Sequence, residues 1–151
     1  MTTDHAALWD RFTDAINGPN DAAFESLVTD DYVEEWPQSG EVLRGRSSFV
    51  KMLRAYPTDL TIAALDPGNT RIAAQDSKWL MTPAFTLIRL ESSGNVGTAI
   101  FRARYPDGAW WWIIGTYELR DGKVARRTTF FAPEYEAPEW RNGITERTKR
   151  P

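Results

Sequence analysis

The second half of the chain leaves little choice of architecture. From residue 84 onward, apolar and polar side chains alternate in long runs. Each run stops at turn residues: Ser92-Ser93-Gly94-Asn95, Pro106-Asp107-Gly108 and Asp121-Gly122. A period of two puts alternate side chains on opposite faces of a sheet, and short Gly- and Asp-bearing turns join neighbouring strands antiparallel. The spacing predicts strands over 84–90, 96–105, 109–120 and 123–131. Another strand is expected over 60–64, ahead of the turn cluster Asp66-Pro67-Gly68-Asn69, and a short one just before Pro83.

The first half has the helical period. Leu8, Phe12, Ala15 and Ile16 recur on one face with Trp9 beside them, Asp4 is placed to cap the start, and Gly18-Pro19 ends the pattern. Asn20 reads as the N-cap of a second helix presenting Phe24, Leu27 and Val28. Residues 32–36 read as a short strand stopped by Pro37, and Gln38-Ser39-Gly40 as a turn. A third helix is predicted from about Ser47 to Tyr56, ended by Pro57 because the residue before proline is pushed out of helical geometry. Helices first and a meander second predict an α+β protein, with three N-terminal helices on one face of a curved, mainly antiparallel sheet.

Composition removes several chemistries. With no cysteine among 151 residues, there is no disulfide framework, thiolate nucleophile or Cys-based metal site. The lone histidine, His5, argues against a Ser-His-Asp triad or a multi-His zinc site; so near the terminus it is expected to be solvated. A formal charge of −3 gives no electrostatic footprint for nucleic acid. The residues after Met1 do not form a signal peptide, and no apolar run approaches a membrane span, so a cytoplasmic protein is expected. Gly94-Asn95-Val96-Gly97 lies in a hairpin rather than at a helix start, so it is not a phosphate loop. Neither metal nor cofactor is expected. The basic residues Arg147, Lys149 and Arg150 read as a frayed end. Seven Trp, seven Phe and five Tyr must form core, subunit interface or the wall of an apolar cavity.

Three stretches carry a family likeness: Asp30-Asp31-Tyr32-Val33-Glu34-Glu35-Trp36-Pro37 with Gly45-Arg46, then Tyr117-Glu118-Leu119-Arg120-Asp121-Gly122-Lys123-Val124, then Phe130-Phe131-Ala132-Pro133. With the order of elements, the chain resembles the nuclear transport factor 2-like (NTF2-like) superfamily, and within it the SnoaL-like polyketide cyclase branch. The resemblance implies one domain over 1–151, with a core of about 5–132 and a tail over 133–151. It implies a cone-shaped pocket between the concave sheet face and the first and third helices, and a homodimer through the convex face. It also implies cyclase, isomerase or hydrolase chemistry without a cofactor, on a hydrophobic, ring-bearing small molecule.

The catalytic groups of the known branches do not transfer. The base of ketosteroid isomerases falls on Trp36, their oxyanion-binding tyrosine on Phe12 and their second aspartate on Gly115. The final-strand aspartate of SnoaL-type cyclases falls on Thr129, and the Arg-x-Asp pair of related epoxide hydrolases near Thr98 and Ile100. Strand alternation offers other candidates. The face shared with Trp36 carries Tyr32 and Glu34, with Gln38 after the turn; later strands add Trp111, Ile113, Gly115 and Tyr117, then Ala125, Arg127, Thr129 and Phe131. Phe12 and Tyr56 are expected to complete the lining.

Glu34 and Arg127 are the sharpest pair. Glu34 would act as a general base, and Arg127 would hold an enolate or carboxylate, with Tyr32, Tyr117 or Trp36 as proton or oxyanion partners. The competing reading is a structural ion pair. Trp36 would stack on a flat ligand that Gln38 orients, or would anchor the rim by packing on the first helix. Trp110 and Trp112 fall on the convex face with Ile114, where a dimer interface would cover them. Two rival functions stand beside the enzyme: a non-catalytic binder of the same ligand class, and an interaction module using the Trp-rich face.

Overall fold

In the computed structural model, residues 5–17, 20–55, 71–73, 77–79, 85–105 and 107–150 are described. The elements run α1 (His5–Asn17), α2 (Asp21–Glu25), β1 (Val28–Trp36), β2 (Glu41–Arg44), α3 (Arg46–Ala55), β3 (Arg71–Ala73), β4 (Ser77–Trp79), β5 (Phe85–Ser93), β6 (Val96–Arg104), β7 (Trp110–Arg120) and β8 (Lys123–Pro133). A 3-10 turn follows at Glu139–Arg141.

Six strands form one sheet in the order β2-β1-β8-β7-β6-β5, and β3 and β4 pair separately. Neighbours in the large sheet are antiparallel except β1 and β8, which run parallel, so the sheet is mixed. The hairpin turn between β7 and β8 has positive φ at both Asp121 (54°) and Gly122 (72°). That is the geometry of a two-residue turn matched to strand twist, and Asp-Gly is a preferred pair for it.

Several boundaries differ from the sequence expectations. Asn20 does cap α2, its Oδ1 accepting from the Ala23 N–H at 2.8 Å. The helix stops at Glu25, however; Leu27 lies in the connecting turn and Val28 opens β1. Both are buried all the same, because the chain enters the sheet directly beneath the helices. β1 is therefore longer than 32–36. β2 was not anticipated: the turn at Gln38-Ser39-Gly40 folds residues 41–44 back onto β1, with Glu35 opposite Val42. The segment 60–64, the turn at 66–69, Tyr56, Pro83 and the caps Asp4 and Gly18-Pro19 lie outside the described residues.

A register shift between Glu118 and Leu119 leaves Ala125 without a partner in the β7–β8 ladder. Val124 is buried there in the core, and Ala125, expected on the inner face, is the extra residue of a bulge. The core fills the space between α1, α2, α3 and one sheet face with Leu8, Trp9, Phe24, Phe49, Phe101, Ile113 and Leu119 among others. Trp9 meets Phe101 edge-on at 5.1 Å between centroids, and Tyr32 meets Phe49 likewise at 5.3 Å.

The opposite face is partly covered by the chain itself. Trp110 and Trp112 are half-buried rather than exposed. The Arg102 guanidinium lies 3.9 Å from the Trp110 ring centroid, and Arg102 pairs with Glu134 at 2.6 Å. Arg150, expected in a frayed end, pairs with Glu134 at 3.1 Å and donates to the Tyr135 carbonyl. The Arg102 guanidinium beside Glu134 holds its carboxyl below the usual range. No helix among the described residues is long and apolar enough to cross a membrane.

Candidate functional site

The inner sheet face carries two buried polar clusters. The first sits where α1 meets the β5–β6 hairpin. His5 Nε2 lies 3.0 Å from the Gly94 carbonyl oxygen, which can only accept, so Nε2 carries the proton. Nδ1 then accepts from the Tyr117 hydroxyl at 2.9 Å, and that oxygen accepts from Trp9 Nε1–H at 3.1 Å. Burial pushes the Tyr117 phenol above its ordinary value. His5 is thus a buried member of a hydrogen-bonded network, not a solvated terminal residue; the hairpin brings an acceptor to it that the sequence does not reveal. A Cβ on Gly97 would run into the Tyr117 ring, so that glycine gives the ring its place.

The second cluster lies further along the same face. β1 and β8 set Glu34 beside Arg127, and β7 sets Tyr117 on the other side of Arg127. Glu34 is 2% exposed, which makes it an inward-facing carboxylate. Its Oε2 accepts from the Tyr32 hydroxyl at 2.8 Å and its Oε1 from the Thr129 hydroxyl at 2.6 Å. Arg127 Nε stands 3.8 Å from Oε1, near enough for charge attraction and too far for a hydrogen bond. That buried Nε has no hydrogen-bond partner among the described residues. Burial, and then the facing Glu34 charge, push the Tyr32 phenol well above its ordinary value, so Tyr32 stays a proton donor to the carboxylate.

Gly115 makes this arrangement possible. A Cβ there would come within 2.6 Å of Arg127 Nε, so a side chain would evict the guanidinium. The position matched to a family aspartate is here the floor on which an arginine lies. A strand glycine marks such a close approach, and that signal was present in the sequence.

The expected lining residues divide between two places. Phe12, Tyr32, Tyr117 and Arg127, with Trp9 and Phe49, border a narrow cavity of about 20 Å³. That is room for a single water. Ile113, Gly115 and Thr129 are buried on the same inner face. Trp36, Gln38, Trp111 and Phe131 instead line an open cup of about 340 Å³ with Ser39 and Glu41. Gln38 does not present a free amide: its Nε2 donates to the Phe131 carbonyl at 2.6 Å and its Oε1 accepts from the Phe131 N–H. It extends the β8 ladder as a strand residue would. No group of three or more His, Asp or Glu among the described residues is gathered as metal ligands would be.

A helix-first, mixed-sheet α+β architecture with its polar groups on one sheet face is that of NTF2-like proteins. The chain belongs to the SnoaL-like domain family, which matches residues 9–127. It is similar to a Kribbella flavida protein provisionally assigned as a ketosteroid isomerase, at 25% identity and a TM-score of 0.71, over 99% of this chain and 93% of that one. An NTF2-like protein of unknown function from Burkholderia xenovorans is similar at 21% identity and a TM-score of 0.70, over 95% and 94% of the two chains. A Sinorhizobium meliloti protein provisionally assigned as a polyketide cyclase shares the fold at 12% identity and a TM-score of 0.56, over 82% of this chain and 93% of that one. No curated protein matches the sequence.

Proposed function

We propose that this protein binds a hydrophobic, ring-bearing carbonyl compound in a cone between the helices and the inner sheet face, where the narrow space beside Arg127, sized for one water in the free protein, widens to admit it. It catalyses proton transfer on that compound without a cofactor, as an isomerase or cyclase would. One observation carries the reading: a buried carboxylate lies beside a guanidinium whose Nε–H has no hydrogen-bond partner among the described residues. Glu34 would take a proton from carbon next to the carbonyl. The electron pair would move onto the carbonyl oxygen, where Arg127 supplies the waiting N–H. Tyr32 and Thr129 hold the carboxylate in place, and Glu34 returns the proton to another carbon. The base would then stand two residues before Trp36, where the ketosteroid isomerase base falls. Exposed Phe130, with half-buried Trp110 and Trp112, suits the homodimer proposed for the opposite face.

The test is exchange of the C1 protons of 2-tetralone in D2O, followed by NMR. The wild type is expected to accelerate exchange, and Glu34→Gln to lose at least about 100-fold of that acceleration. A second reading, a non-catalytic binder, is favoured by the fact that both Glu34 oxygens already accept hydroxyl hydrogen bonds. Saturable binding of the ketone without accelerated exchange would select it.

A further inference from the structure

We infer that the cup at Trp36, Trp111 and Phe131 is a subsite for an organic ammonium group. It is walled by three aromatic side chains, and the one formally charged group lining it among the described residues is Glu41. Glu41 is held by the Ser39 hydroxyl, which donates to it. Trp36 is half-buried and lines the cup, and its buried Nε1 has no acceptor among the described residues. Tyr105 meets Trp111 edge-on at 5.9 Å and helps fix that ring. Gln38, bonded to the Phe131 backbone at 2.6 Å, is not available to hydrate or pair with a ligand. Aromatic faces attract cations through their quadrupole, Trp most strongly, and a carboxylate at the rim adds the complementary charge. The cup's volume of about 340 Å³ is in the range of small-molecule sites. A neutral hydrocarbon would gain from the aromatic walls alone; the ammonium gains from both.

The inference rests on the reading of the inner face as a ligand-binding surface and names one end of what binds there. It does not need Glu34 to act, because the test is read without turnover. Choline chloride is titrated at constant ionic strength against tryptophan fluorescence, with its neutral carbon isostere 3,3-dimethyl-1-butanol alongside. Saturable quenching by choline is expected, with the alcohol at least about fivefold weaker. Trp111→Leu should abolish the signal. Glu41→Gln, at an exposed strand position that tolerates change, should weaken choline about two- to fivefold and leave the alcohol unchanged. Equal affinity for alcohol and choline would overturn the inference, as would choline affinity indifferent to Glu41→Gln or no saturable quenching. None of these results bears on proton transfer at Glu34, which the tetralone exchange reports.

Discussion

The two buried clusters on the inner face each hold a tyrosine hydroxyl and close differently. In the His5–Tyr117–Trp9 network the donors and acceptors match in sequence: Nε2–H to carbonyl, hydroxyl to Nδ1, indole N–H to hydroxyl. It contains no carboxylate and no guanidinium. The Glu34 cluster is charged, and its Arg127 Nε–H has no acceptor among the described residues. A closed network fastens α1 and the β5–β6 hairpin together. A charged one with a donor left over is the arrangement from which chemistry is expected, since an unmade bond in a buried site is costly unless a ligand completes it.

The largest effect should come from unbalancing the charged cluster. Glu34→Gln leaves the Arg127 guanidinium uncompensated in a mostly buried place, and urea denaturation should show a loss of about 3 kcal/mol. Adding Arg127→Met should restore much of it; no recovery would mean that the two charges are not coupled. Gly115→Ala tests the same cluster from below. Its Cβ has no room beside Arg127, so a loss of about 1–3 kcal/mol is expected, with the guanidinium displaced in a crystal structure of the variant.

The His5 network should respond more gently. His5→Ala removes the acceptor of the Tyr117 hydroxyl and should cost about 1–3 kcal/mol in the same assay. High pH acts on both clusters. Tyr32 and Tyr117 both keep their protons in the folded state beyond the pH at which the unfolded chain releases them. The stability they confer is complete below about pH 10 and is lost above it, by up to about 1.4 kcal/mol per pH unit for each tyrosine. Tyr32→Phe should flatten that alkaline decline, seen as a shallower fall of the thermal midpoint between pH 10 and 11.

Much of this was legible from residue order. The strand alternation placed Glu34, Arg127, Thr129 and Tyr117 on one face because a period of two survives any error in strand ends. The bulge at Ala125 escaped, since an extra residue in a ladder leaves no mark in hydropathy. β2 escaped because Glu41–Arg44 is short and, apart from half-buried Leu43, exposed, so no buried face imposes alternation on it. His5 was misplaced because its partners are a tyrosine and a carbonyl about a hundred residues away, a closure only the fold creates. Gly97 and Gly115 do leave a mark in the sequence: each interrupts a strand, and each makes room for a large side chain from the neighbouring strand.

The central claim is that the charged cluster acts and the His5 cluster only holds. Its most direct test is the rate of 2-tetralone C1 exchange in D2O at equal concentrations of folded wild type, Glu34→Gln and His5→Ala. The account predicts a collapse of at least about 100-fold for Glu34→Gln and a rate within about threefold of wild type for His5→Ala. Wild-type exchange that Glu34→Gln leaves intact would contradict it.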